Sequence, residues 1–156
     1  MVKILNDKTK YSADDVLAHE KKYRFRKFDN QLALNIALKI IQKVKDNNLK
    51  SVRIRITYED EVVFYYLMQG KNKSNWLDRK TKTVLTTSHS SLYTFLMADK
   101  NPVYEEMKAD EQYCIGGGGF PIFVKDELKG AICVSGLPHE DDHSLIIEVL
   151  KEIDAF

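Results

Sequence analysis

Gly116-Gly117-Gly118-Gly119-Phe120-Pro121-Ile122 and, a short turn later, Gly130-Ala131-Ile132-Cys133-Val134-Ser135-Gly136-Leu137-Pro138 decide how this chain folds. The first stretch places four of the chain's seven glycines directly before a strand-like run. The second is a flat apolar run ending in a Ser-Gly-Leu-Pro turn, and an acidic helix start follows it. Lys125-Asp126-Glu127 turns the chain between them, so two strands lie close together. Glycine lacks Cβ, reaches positive φ and lets the backbone approach a ligand or a neighbouring segment. Each glycine forgoes about 1 kcal/mol of backbone order relative to alanine. A run of four therefore marks either a binding site or a turn where two backbones touch.

Upstream, Val52, Ile54 and Ile56 alternate with Arg53, Arg55 and Thr57, and Glu59-Asp60 turns the chain into Val62-Val63-Phe64-Tyr65-Tyr66-Leu67. The alternation predicts a strand with one polar face. The second run is apolar on both faces, which predicts a strand covered on both sides. Their short connection predicts an antiparallel hairpin. Tyr23 to Phe28 alternates in part and predicts a further strand.

Helices fill the intervals. Ser12 caps a short helix ending near Lys22, with acids in its first turn. Asp29 caps the clearest amphipathic helix, with Ala33, Ile36, Ala37, Ile40, Ile41 and Val44 on one face and Leu34 and Leu38 widening it. Ser74 caps a helix over 75–86, and Ser90-Ser91 caps another carrying Leu92, Tyr93, Phe95, Leu96 and Met97. Pro102 opens a third, Val103 to Ala109. The last helix buries Leu145, Ile146, Val149, Leu150 and Ile153. The order α-β-α-β-β-α-α-α-β-β-α predicts an α+β fold, with a roughly five-stranded antiparallel sheet and helices on both faces.

The 156 residues suit a single domain over 1–156, with residues 1–11 as an N-terminal arm. The 24 basic and 23 acidic residues leave a net charge of +1, which speaks against a general electrostatic grip on nucleic acid or membrane lipid. No stretch approaches the apolar length of a membrane span, and the N-terminus lacks a signal-peptide core. Cys114 and Cys133 fit reduced, buried thiols, and a cytoplasmic location follows as the expectation.

Three clusters can carry chemistry. The glycine run Gly116, Gly117, Gly118 and Gly119 opens a strand and lacks the Lys-Ser/Thr of a phosphate loop, but its N–H groups can form an anion nest. The second cluster is Ser135-Gly136-Leu137-Pro138-His139-Glu140-Asp141-Asp142-His143. Its acids suit a helix N-terminus, Pro138 places His139 before that helix, and His143 is the candidate to face a ligand. A zinc site would need a third ligand, so no metal is expected. The third cluster joins Arg79-Lys80 to Ser90-Ser91, either as caps and solvated charges or as an anion site. His89 lies beside Ser90 with no acid positioned nearby to suggest a triad.

Together these clusters resemble the uncharacterised-protein (UPF) branch of the HbpS/GlcG-like, or heme-degrading-domain, superfamily. The matching residues are Trp76 with Arg79-Lys80 and Thr83-Val84, Ser90-Ser91-Leu92-Tyr93, Gly117 to Ile122, Gly130-Ala131, Val134 to Pro138, and Glu140-Asp141 with His143. The resemblance covers 23–153. It implies a profilin-like α-β-α sandwich and a homo-oligomer. It also makes heme a possible cofactor, since some superfamily members bind heme or a corrinoid and some degrade heme; no residue here is matched to a heme ligand.

The expected function is a homo-oligomeric small-ligand-binding protein holding a small anion or a tetrapyrrole carboxylate near the glycine loop. Arg79, Lys80, Ser90, Ser91, Gly116 to Gly119, Phe120, Ser135, Gly136 and His143 are the candidate contacts. A heme- or carboxylate-processing enzyme with His143 as acid/base, and an assembly protein without a ligand, are the alternatives.

Overall fold

The computed structural model describes residues 9–156; residues 1–8, most of the expected arm, lie outside it. Two hairpins make one antiparallel sheet. The first is β1 (Arg53–Tyr58) with β2 (Glu61–Leu67), and the second is β3 (Gly119–Val124) with β4 (Glu127–Ser135). They join through β1 and β4, from Arg53↔Ser135 to Tyr58↔Gly130, giving the order β2-β1-β4-β3. Both hairpin turns put non-glycine residues at positive φ: Glu59 at 50° and Asp60 at 65°, Lys125 at 51° and Asp126 at 67°. That backbone matches the right-handed twist of the flanking strands.

The sheet has four strands where about five were expected. Residues 23–28 form no strand; Phe25 makes one parallel bridge to Val124. The Phe25 N–H donates to the Phe123 carbonyl and that of Arg26 to Ala155. Tyr23, Phe25 and Phe28 all turn inward, and Asp29 caps the next helix at once, which leaves no length for a ladder.

Helices cover both faces. α1 spans Ala13–Lys22, α2 Asn30–Asp46, α3 Trp76–Thr87, α4 Ser91–Met97, α5 Pro102–Met107 and α6 His139–Leu150. On one face, α2 and α6 pack on Ile54, Ile56, Phe120, Ile122, Ile132 and Val134. On the other, Leu77 and Val84 of α3 pack on Ala131 and Cys133. This two-sided cover explains the unbroken apolar run of β4. Gly130 is required there, because a Cβ would sit 1.9 Å from the Thr57 carbonyl oxygen of β1.

β2 departs from its expected cover on both sides. It is an edge strand, and Val62, Tyr65 and Tyr66 are exposed. Helix starts differ in two places. α3 begins after Asn75 instead of Ser74; the Asn75 side chain makes no cap bond, while Ser74 Oγ accepts the Trp76 N–H at 3.4 Å. His139 is the first residue of α6 rather than its predecessor, because Pro138 itself takes the cap position. Among the described residues no helix is long and apolar enough to cross a membrane.

Candidate functional site

Two helices bring charge into the core at this site. The inner face of α3 carries Leu77, Lys80, Thr83 and Val84, so helical spacing forces Lys80 inward. On α6, Asp142 and His143 fall on the face shared with Ile146, Val149 and Leu150. Lys80 and Asp142 meet there, Nζ to Oδ2 at 3.1 Å, and are 4% and 2% exposed. Lys80 Nζ also donates to the Val134 carbonyl at 2.7 Å, and the Leu137 N–H donates to Asp142 Oδ1 at 2.9 Å. Burial pushes the Asp142 carboxyl up to about 6, against the downward pull of the Lys80 ammonium.

The glycine loop is what lets these elements close up. At Gly117 a Cβ would lie 2.2 Å from the His139 carbonyl oxygen. Gly118 has φ 118°, and a Cβ there would lie 2.5 Å from both Lys80 Nζ and the Val134 oxygen. The Gly117 N–H donates to His139 Nδ1 at 2.9 Å, and the Gly119 N–H donates to Ser91 Oγ at 2.9 Å.

A cavity of about 290 Å³ opens over the ion pair. Lys80 and Asp142 form part of its lining, with Ser135, Gly136, Leu137 and His139 from the turn into α6. Arg53, Lys71, Trp76 and Cys114 complete it. Arg53 donates from Nε to the Asn72 carbonyl and from Nη1 to Ser135 Oγ. Neither Arg53 nor Lys71 has a carboxylate partner among the described residues. Burial pushes the Cys114 thiol up, so it stays protonated at neutral pH.

Of the residues singled out from sequence, Lys80, Ser135 and Gly136 line the cavity. Arg79 does not. Its Nε donates to the Tyr113 carbonyl and its guanidinium stacks 4.3 Å from the Trp76 ring centroid. Ser90 caps α4 through the Tyr93 N–H, and its own N–H is taken by Glu20 Oε2. Phe120 lies in the core. Gly117 and Gly119 spend their N–H groups on protein acceptors, which limits the nest expected over Gly116 to Gly119. Glu20 also reaches His89 Nδ1 at 2.8 Å, an acid–histidine contact that local sequence did not reveal. Arg53, Lys71 and Cys114 are the cavity residues that no sequence cluster contained; Leu137, His139 and Asp142 stood in the second cluster and Trp76 in the resemblance without being named as contacts.

His143 is fully buried behind the cavity. Its Nε2 lies 3.1 Å from His19 Nδ1, the rings stack, and Tyr11 packs edge-on against both. Burial, aided by His19, pushes its pKa down to about 3, below the neutral range expected of an acid/base. The folded chain thus refuses a proton that the unfolded chain accepts below about 6.5. This contribution to stability is present above about pH 6.5 and is lost as pH falls toward 3. Between pH 7.5 and pH 5 the wild type should lose about 2 kcal/mol more than His143→Gln. Urea unfolding at both pH values checks this, and equal pH dependence in the two proteins would refute it.

Residues 28–151 match the family model described as Haem degrading protein HbpS-like. The chain is 35% identical over 150 residues to a UPF0303 protein of Psychromonas ingrahamii, covering 92% of this chain and 93% of that one. It is 34% identical over 144 residues to a UPF0303 protein of Sinorhizobium medicae, covering 88% and 87%. Among solved structures it superposes on the Ybr137w protein with TM-score 0.79 and 27% identity, covering 91% and 87% of the two chains. It superposes on a PduOC:Heme complex with TM-score 0.68 and 13% identity, covering 83% and 96%, a likeness of fold.

Proposed function

Because the chain belongs to the HbpS-like family and is similar to its UPF0303 members, we propose that it binds a small carboxylate or comparable anion in the cavity beside the glycine loop. One observation carries this reading. Asp142 neutralises Lys80, while Arg53 and Lys71 at the same cavity have no carboxylate partner among the described residues. The net excess of positive charge suits an anion. At about 290 Å³ the cavity falls just below the roughly 300–1,000 Å³ of ligand pockets, which suits a ligand of a few atoms.

Heme, which the family description brings in, does not fit these residues as a metal-ligated group. His143 is enclosed with Nε2 against His19, His139 spends Nδ1 on Gly117, and the Cys114 thiol stays protonated. A tetrapyrrole could offer this cavity only a carboxylate edge.

Native mass spectrometry of protein purified from its host should show added mass on the subunit. Arg53→Ala combined with Lys71→Ala should weaken retention of that species by at least tenfold, since a hydrogen bond to a charged group contributes about 1.5–3 kcal/mol. Unliganded protein throughout, with no anion bound in titration, would overturn the reading.

Self-association is the second part of the proposal. Leu34 and Leu38 of α2 lie exposed, Leu38 by 52%, and Tyr66 of the edge strand β2 is exposed beside Leu38 on the same face of the sheet. A second copy covering these residues would bury apolar area now in water. The solution mass should be a multiple of the chain mass, and Leu38→Glu should lower it; a monomer at micromolar concentration would refute the surface. The cytoplasm is the compartment we assign, since Cys114 and Cys133 are both free and buried.

A further inference from the structure

We propose that His139 is the specificity-determining residue of the cavity. It would act as a fixed Nε2–H donor that selects a ligand presenting an acceptor oxygen, a carboxylate or the carbonyl of a carboxylic acid. The inference rests on the anion-binding reading and assigns its orientation.

The argument begins with one hydrogen bond. The Gly117 N–H donates to His139 Nδ1 at 2.9 Å. An amide N–H has a proton to give and no lone pair to offer, so Nδ1 must be the unprotonated nitrogen. A neutral imidazole that accepts at Nδ1 carries its hydrogen on Nε2. Doubly protonating the ring would set Nδ1–H against the Gly117 N–H and break the contact.

Two further features hold the ring in this form. His139 is the first residue of α6, where the positive end of the helix dipole disfavours an imidazolium. Burial and the nearby Lys80 ammonium also lower its pKa, outweighing Glu140 and Asp141, which pull the other way. The Phe95 ring packs against the imidazole, centroid to centroid at 4.6 Å, and fixes its plane.

Nε2 has no protein partner among the described residues, and it is not an enclosed orphan as His143 Nδ1 is. His139 is among the residues that line the cavity, and in this assignment its unpartnered Nε2–H faces that space. The glycine run acquires a purpose in this picture. A side chain at 117 would collide with the His139 backbone, so only glycine can bring the N–H that sets the tautomer. The polarity is opposite to that of a metal-bound histidine, whose second nitrogen donates. His139 is thereby matched to oxygen acceptors and mismatched to iron.

Nitrogen-15 NMR of histidine-labelled protein, titrated with sodium acetate and sodium pyruvate, tests this. The His139 ring should show the neutral Nε2–H pattern at pH 7.5, and either anion should shift its Nε2 resonance. His139→Ala should weaken binding at least tenfold. His139→Gln, whose amide can place an N–H near the same point, should recover most of the loss. Hemin should give no Soret band that depends on His139. An Nδ1–H or doubly protonated ring at pH 7, or a Soret band abolished by His139→Ala, would overturn the inference. If the wild type binds the anions with the His139 signal unmoved and His139→Ala unaffected, the donor role falls and the anion site stands. If the wild type binds neither anion, both fall.

Discussion

Replacing Lys80 with methionine should lower stability by about 3–5 kcal/mol, the cost of leaving a buried partner charge uncompensated. For a chain of this size that corresponds to a fall in Tm of roughly 6–20 °C. The cause is Asp142. It is 2% exposed and has lost water as an alternative partner. In the variant it keeps the Leu137 N–H but loses the ammonium at 3.1 Å. Asp142→Leu should cost about as much from the other side, stranding a cation against the Val134 carbonyl and Gly118. The double variant Lys80→Met with Asp142→Leu should recover most of the loss, because a well-packed apolar pair often matches a buried ion pair. Thermal unfolding of the three variants decides it. Single variants within about 1 kcal/mol of the wild type would show that water reaches the pair.

The second large effect lies along the glycines, and it should be uneven. Alanine at 116 would meet only ordinary contacts, the nearest at 3.6 Å, so Gly116→Ala should stay within about 1 kcal/mol of the wild type. Alanine at 117 would meet a backbone carbonyl oxygen at 2.2 Å, and at 118 it would combine positive φ with a carbonyl oxygen at 2.5 Å. Alanine at 130 would push β1 away from β4 at 1.9 Å. Each of these three should cost about 3 kcal/mol or more, the upper end of overpacking, and leave little soluble protein. Expression yield and urea midpoints give the pattern. A uniform penalty across all four positions would mean that glycine matters there only for chain entropy.

The fold was legible wherever periodicity and caps act locally. Asp29 before Ala33, Ile36, Ala37 and Ile40 announced α2, and the flat run from Gly130 to Ser135 announced the last strand, although two-sided cover was expected of residues 62–67 and falls to this strand instead. The segment from Tyr23 to Phe28 misled because inward aromatics at 23, 25 and 28 mimic the start of a strand, while its backbone bonds go to Phe123 and Ala155. The site was legible only in outline. Gly116 to Gly119 and the turn Ser135-Gly136-Leu137-Pro138 stood out because their backbone demands are local. The Lys80–Asp142 pair did not, since an acid in a helix's first turn reads as a dipole partner until the opposing helix shows its lysine. Arg53 reads as one more outward residue of an alternating strand, and nothing local distinguishes the end of β1 that borders the cavity. A proline before a run of acids reads as delaying the helix past His139; instead, Pro138 takes the cap position and His139 opens α6.

The strand order carries a temporal consequence. β1 and β2 are synthesised early as one hairpin, yet the inner edge of β1 finds its partner only in residues 130–135 of β4. At about 5–20 residues per second on a ribosome, that edge waits on the order of seconds for its neighbour. Over that interval Ile54 and Ile56 lack the cover of α6, and an unpaired apolar edge can recruit another nascent chain. Slowing elongation across the stretch from α3 to α5 should therefore lower the soluble yield, and a chaperone that shields the first hairpin should restore it.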